Sequence, residues 1–342
     1  TTAGETPVRY RQYYFSFTEQ QADNKMTPTT KSPKMAAARL SVFTALGLAI
    51  LKLITGILTG SLAILTSAID SLLDILMSGI NLMAIHQAEQ PADEQHPYGH
   101  GKFESLATIF QALVIAVSGC WIIYEAVQRM IEPSPIKQTG IGIIVMSIST
   151  VASIMISRHL LRVAKETDSS ALEADSLHFS MDVYTNLALL VGLILISRFN
   201  LPWLDPVMSL MVAIYILIES LRLLRQAMRD ILDEQLPETV RHEIESLIND
   251  HKHELFGYHN LRTRRAGSQK LIDFHLTVCK HLSVEEAHDI TDYIEKKIGD
   301  EITGTDVTIH VEPCRRHGCP GREACPTQSI RRADDDKEWW KE

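Results

Sequence analysis

The stretch SLAILTSAIDSLLDILMSGINLMAI, Ser61–Ile85, is apolar enough to sit in lipid, yet it carries two carboxylates, Asp70 and Asp74, near its middle. A carboxylate at mid-membrane costs about 2.5–3.5 kcal/mol even on the lenient insertion scale, so it needs a compensating partner. The two are four residues apart and project from one helix face, one turn above the other. A second stretch, EADSLHFSMDVYTN from Glu173, gives His178 and Asp182 the same spacing. Two helices therefore each offer two ligands on one face. Three carboxylates and one imidazole suit a four-coordinate divalent metal, and zinc accepts both ligand types in tetrahedral geometry. The absence of thiolate and thioether disfavours copper(I). The alternative is that these groups only form interhelical hydrogen bonds or an acid pair, and two matched pairs on different helices weigh against it.

Working outward from this stretch, apolar runs of spanning length recur over 37–58, 62–86, 104–131, 136–163, 172–197 and 204–227. Each can cross about 30 Å of hydrocarbon. The breaks carry turn chemistry: Thr59-Gly60-Ser61, QPADEQHPYGHGK from Gln90, EPSP from Glu132 and NLPW from Asn200. The spacing predicts an α-helical membrane protein, a six-transmembrane-helix bundle, with both termini on one side. Near the membrane that side carries eleven basic residues: Lys25, Lys31, Lys34, Arg39, Lys102, Arg158, Arg162, Lys165, Arg222, Arg225 and Arg229. The other side carries three, Arg129, Lys137 and Arg198. The positive-inside rule then puts both termini in the cytoplasm, with the chain a multi-pass protein of the plasma membrane. Lys52 lies inside the first span, where snorkelling toward the headgroups and a functional role are equally open.

The near-zero mean hydropathy of the 342 residues averages an apolar half and a charged half. The expected division is a polar tail (1–35), the helical bundle (36–230), a soluble domain (231–313) and a Cys/Arg tail (314–342). A net charge of −9, with no basic stripe interleaved by aromatics, argues against nucleic acid as a partner. The five cysteines do not form a secreted disulfide framework. Residues 1–33 lack the apolar core of a signal peptide. The soluble half reads as helix, two strands, helix, strand: PETVRHEIESLINDH, HNLRTRRAG, KLIDFHLTVC, SVEEAHDITDYIEKKI and DVTIHVEP.

Two polar clusters stand outside the spans. In the loop after the second span, Pro97 and Gly99 break any helix, so Asp93, His96 and His100 would converge through loop geometry into a second metal site near the intake route. A hydrated polar loop also holds Asp and His without a metal. In the tail, Cys314, His317, Cys319 and Cys325 offer three thiols and an imidazole able to close a tetrahedron, although an Arg-rich tail with incidental thiols explains them equally well.

SAIDSLLD, then HPYGHGK, then EADSLHFSMD, in that order, resemble the cation diffusion facilitator family, particularly its bacterial zinc and ferrous-iron efflux branch. The resemblance covers about 37–314. It implies that Asp70, Asp74, His178 and Asp182 are the transport site of a homodimeric metal/proton antiporter that exports zinc, cadmium or ferrous iron across a bacterial inner membrane. It implies a metal site at Asp93, His96 and His100. The soluble half would be a cytoplasmic ferredoxin-like α/β domain that pairs across the dimer and holds a structural ion at His259, His275, His288, His310 and Glu312. Glu312 departs from the aspartate of close relatives. Lys102, Asp233 and Arg264 fall where the family forms a charge interlock between the halves.

Three rival functions fit the sequence less well. A membrane metalloenzyme is disfavoured, because HExxH is absent and four ligands leave no open position for an activated water. A P-loop pump is disfavoured by the absence of GxxxxGK[ST]. A membrane-anchored metal sensor or non-transporting scaffold leaves the paired intramembrane ligands unexplained.

Overall fold

The structure is a computed structural model that describes residues 32–60, 62–131, 140–199, 203–249 and 256–315. Six long helices come first: α1 Pro33–Thr59, α2 Leu62–Ala88, α3 Lys102–Ile131, α4 Gly140–Thr167, α5 Ser170–Phe199 and α6 Leu204–Ile231. Among the described residues, five of them contain segments long and apolar enough to cross a membrane, all but α5. The first half of α5 is broken up by Glu173, Asp175, His178 and Asp182. That helix packs on each of the other five, so its polar residues face protein.

Small residues permit the close packing. On α1, Ala37, Ser41, Ala45 and Ala49 recur every fourth position and are buried, whereas Phe43, Ile54, Ile57 and Leu58 on other faces are exposed. This is the pattern of a helix whose backbone approaches its neighbours closely and whose large side chains face lipid. Pro33 opens α1, and Gly60 closes it in the left-handed region, its N–H bonded to the Ile57 carbonyl.

The α4–α5 connection differs from the sequence expectation, which ended one helix near Val163 and began the next near Leu172. The helices run on to Thr167 and restart at Ser170. Asp168 turns the chain with a φ of 52°, a conformation Asp tolerates better than most residues, and Ser169 receives the Leu172 N–H on its hydroxyl.

The C-terminal unit follows as α7 Glu238–Asn249, β1 Gly257–Ala266, β2 Gln269–Val278, α8 Val284–Glu301 and β3 Thr305–Pro313, the order expected from its periodicity. The sheet runs β1-β2-β3, antiparallel between β1 and β2 and parallel between β2 and β3. Ile272, Phe274, Leu276 and Val278 alternate onto one face and build a core with Ile244 and Ile248 of α7 and Ile294 and Ile298 of α8. The odd-numbered residues of β2, His275 among them, point to the other face.

The two units meet at the α3 N-terminus. Gly101 and Gly267, the latter in the β1–β2 turn at a φ of 63°, touch backbone to backbone, and a Cβ on either would overlap the other segment's carbonyl region. Lys34 Nζ donates to Ser268 Oγ at 2.6 Å, and Lys270 Nζ lies 2.6 Å from Asp168 Oδ2.

Candidate metal centres

In the bundle, α2 and α5 run antiparallel and bring the paired ligands opposite one another. His178 Nε2 donates to Asp74 Oδ1 at 3.0 Å, with His178 only 6% exposed. Asp182 lies within electrostatic reach of Asp74, His178, Lys52 and Asp70. Asp70 is exposed on the single chain. The structure therefore closes one contact of the expected quartet and gathers the other two carboxylates around it. Lys52, whose direction the sequence left open, turns inward: its Nζ donates to Ser71 Oγ at 2.8 Å, and its charge reaches Asp70 and Asp182.

The loop before α3 is built around Asp93. Its Oδ1 accepts the N–H groups of Gln95 at 2.9 Å and His96 at 2.6 Å, an Asx-type turn that organises the backbone. The His96 N–H is the main reason the Asp93 carboxyl is held below the usual range, against a smaller upward push from burial. His100 is nearly enclosed, and its Nδ1 lies 3.2 Å from the Pro91 carbonyl. A carbonyl only accepts, so Nδ1 donates there, and Nε2 lies 3.3 Å from Asp93 Oδ2. Ligand atoms of Asp93, His96 and His100 all lie within 4.8 Å of one another.

The third group lies on the sheet. Register places His259 opposite His275 on β1 and β2, and His275 opposite His310 on β2 and β3. Three imidazoles thus form one row, and Glu312, two residues beyond His310, shares its face. His275 Nδ1 donates to Glu312 Oε1 at 2.9 Å, while His259 Nε2 stands 3.6 Å from Oε2 and His310 Nε2 3.9 Å from Oε1. The His275 bond, joined by the charges of His259 and His310 against burial, holds the Glu312 carboxyl below its usual range. Ligand atoms of His259, His275 and Glu312 likewise lie within 4.8 Å of one another, and the longer arm of Glu lets one carboxylate reach two strands' imidazoles. Two nitrogens and a carboxylate suit a divalent ion of the zinc type. His288 stands apart on α8, where its carbonyl accepts from Thr291 and its charge reaches Glu295.

Lys102 Nζ is 3.0 Å and Arg264 NH1 3.3 Å from the same Asp233 oxygen. The Arg264 guanidinium also lies over the Tyr98 ring, 4.9 Å from its centroid, so one arginine touches both this cluster and the Asp93 loop. Spacing arguments passed over that contact and also Asp175, which sits inside the quoted EADSLHFSMD three residues before His178. Its i,i+3 relation to His178 was the available signal. Cys314 is buried, and His317, Cys319 and Cys325 lie outside the described residues, as do the N-terminal tail, Lys137 and the EPSP turn.

A six-helix polytopic bundle with ligand pairs inside and an α/β unit outside defines a membrane ion transporter rather than an enzyme. The chain belongs to the cation efflux family: residues 38–232 match its transmembrane domain, and residues 236–314 match the family's cytoplasmic domain. It is 36% identical over 278 residues, 81% of this chain and 92% of the relative, to the cation-efflux pump FieF of Salmonella newport (strain SL254). The FieF of Salmonella heidelberg (strain SL476) matches equally. Among solved structures, the zinc form of CzrB is 37% identical and the metal-bound C-terminal domain of the CzcD transporter from Thermotoga maritima 28%. These matches cover 25% and 24% of this chain and 98% of each of those chains, with a TM-score of 0.22 in both cases.

Proposed function

We propose that the chain exports a divalent metal cation, with zinc foremost and cadmium and ferrous iron also fitting the ligands, in exchange for protons. In this reading Asp70, Asp74, His178 and Asp182 carry the ion. Asp93, His96 and His100 bind metal beside the entry route, and His259, His275, His310 and Glu312, with His288 at one remove, hold a resident ion in the α/β domain. The protein works as a homodimer in a bacterial inner membrane with both termini in the cytoplasm. Lys102, Asp233 and Arg264 tie the halves together. The tail set Cys314, His317, Cys319 and Cys325 remains a candidate soft-metal site.

The observation that carries the reading is the His178–Asp74 contact across two antiparallel helices, with two further carboxylates within electrostatic reach. A divalent ion requires neutral imidazole and ionised carboxylates, so metal entry must displace protons, and proton entry must displace metal. That is exchange chemistry written into the ligand set. A sensor or scaffold would have no use for ligands buried inside the bundle.

The test is zinc flux into proteoliposomes under an imposed pH gradient, comparing the parent with Asp74→Ala. Gradient-driven flux in the parent and its loss in the variant are expected. A folded, zinc-binding parent that moves no zinc would return the scaffold reading to first place.

A further inference from the structure

One fully buried acid has no part in the transport site. Asp175 on α5 is 0% exposed and lies one turn from His178, on the side facing the α/β domain. Its Oδ1 accepts from Ser78 Oγ at 3.3 Å and from Gln111 Nε2 at 3.4 Å, and Ser78 Oγ in turn receives Ser41 Oγ at 2.9 Å. Among the described residues, Asp175 Oδ2 has no hydrogen-bond partner, and neither does Gln111 Oε1. The groups acting most on Asp175 are Ser41 of α1, Ser78 of α2, Gln111 of α3 and His178 of its own helix; of these, His178 alone titrates. Further charged groups on the packed elements lie beyond them: Asp74 on α2, Glu104 on α3, Lys34 and Lys52 on α1, and Asp182 on α5. Glu173 of α5 is the residue that faces Lys165 of α4 and Glu219 of α6.

An isolated carboxylate in an apolar interior is too costly to persist without a balancing cation. Asp175 has two donors on one oxygen, none on the other, and neither ammonium nor guanidinium among these partners. A proton on Oδ2 meets the need.

The surroundings lead away from this point in one direction. The rungs between α2 and α5 descend a turn at a time: Asp74 with His178, Ser78 with Asp175, then Asn81 Nδ2 donating to the Ala171 carbonyl at 3.2 Å. On α3, Gln111, Thr108 and Glu104 share one buried face. Thr108 Oγ1 donates to Ser170 Oγ at 3.0 Å, Ser169 Oγ donates to Glu104 Oε2 at 2.9 Å, and Lys34 Nζ lies 2.8 Å from Glu104 Oε1. A polar seam therefore runs inside the bundle from the transport pair to the end that meets the α/β domain.

We infer that Asp175 is a second proton-binding group: the proton on its Oδ2 passes along the seam toward Glu104 and the cytoplasmic side, and a proton given up at the transport site as metal enters replaces it. The Asp175 O–H bond breaks as an O–H bond forms at the next acceptor in the seam, and an N–H or O–H bond at the transport site breaks as the Asp175 O–H bond re-forms; no electrons move. This rests on the proton-exchange reading above.

The test separates net transport from exchange. Zinc-for-zinc isotope exchange at equal pH needs no net proton movement, whereas gradient-driven zinc flux does. The isosteric Asp175→Asn should bind zinc and sustain exchange like the parent, while its gradient-driven flux falls about a hundredfold, the low end of what a positioned proton-transfer group contributes. Asp175→Glu, which restores an ionisable group, should recover flux. Parent-like gradient-driven flux in Asp175→Asn would overturn the inference. So would loss of zinc binding and exchange together with flux, which would mark Asp175 as structural. A parent that lacks gradient-driven flux would overturn the antiport reading itself, a result distinct from either.

Discussion

Asp233 shows how one side chain can hold two bodies together. It follows α6 at a φ of 56° and shares its Oδ1 between Lys102 and Arg264. Burial pushes its carboxyl upward, but the hydrogen bonds and charges of Lys102 and Arg264 outweigh that push and hold it below the usual 3.8. Because the folded value lies below the unfolded one, the contribution to stability is fully present above the unfolded pKa and is lost as pH falls through the folded pKa. At 45% exposure it is partly screened by solvent and salt. A thermal melt across pH should therefore show an acid limb beginning below about pH 4 in the parent. Asp233→Asn should lack this group's share of that limb and begin from a lower neutral-pH plateau that added salt no longer depresses. At this scale the sequence was legible wherever two ligands shared a helix face, as with Asp70 and Asp74 or His178 and Asp182. It was not legible where a lone group depended on another helix for meaning. Lys52 could point to headgroups or to Ser71, and Asp175 had only its i,i+3 relation to His178 to announce it, while its hydrogen-bond partners Ser78 and Gln111 lie on two other helices.

Elements with a clear period were readable in advance. From Ile272 to Val278 β2 alternates apolar and polar side chains, and that alternation puts His275 opposite the core side chains Phe274 and Leu276. The α8 start is likewise encoded, since Ser283 and Glu286 form a reciprocal capping box that satisfies two free N–H groups. Corners were less readable, because their geometry depends on what the turn touches. The β1–β2 turn is the clearest case: Gly267 is left-handed and lies against Gly101 at the start of α3. Gly267→Ala should cost about 1–2 kcal/mol for the left-handed backbone alone, with a further cost from the overlap with Gly101. The α7–α8 side of the sheet, built on a separate core, should be unaffected. Hydrogen exchange would read both effects at once, with faster exchange confined to the turn and the α3 N-terminus. Equal acceleration across β2 and α8 would mean that the hairpin, rather than its seating on the bundle, had been damaged.

At the scale of the whole molecule, the described residues form two large hydrophobic cores, one in each half, beside a small cluster of Ala112, Ala174 and Leu223 in the bundle. One is formed by residues of α1, α2, α4 and α5, the other by the sheet with α7 and α8. The hydropathy contrast between the halves made this division legible, and the even number of spans followed from counting. Most of the seat between the halves was not legible: Lys34–Ser268 and Lys270–Asp168 join residues 234 and 102 positions apart that no local pattern encodes, and Lys102–Asp233 was expected from the family resemblance alone. Polar seating of this kind leaves the two cores free to melt separately, which gives a way to test the sheet's metal group apart from transport. A ligand that binds only the folded state stabilises by about 2.7 kcal/mol at 100 times its Kd. Zinc at the His259, His275 and Glu312 group should therefore raise the melting transition of the α/β domain, and a chelator should reverse the shift. His275 is bonded to Glu312 and is the middle imidazole of the row, so His275→Ala should abolish that shift while leaving the bundle's transition and the Asp93 loop site in place. A zinc-dependent shift that survives His275→Ala would assign the stabilising ion to the loop or the bundle and leave the sheet row as a hydrogen-bonded surface. A shift lost only in the α/β domain would show that its fold is completed by an ion that takes no part in the transport cycle.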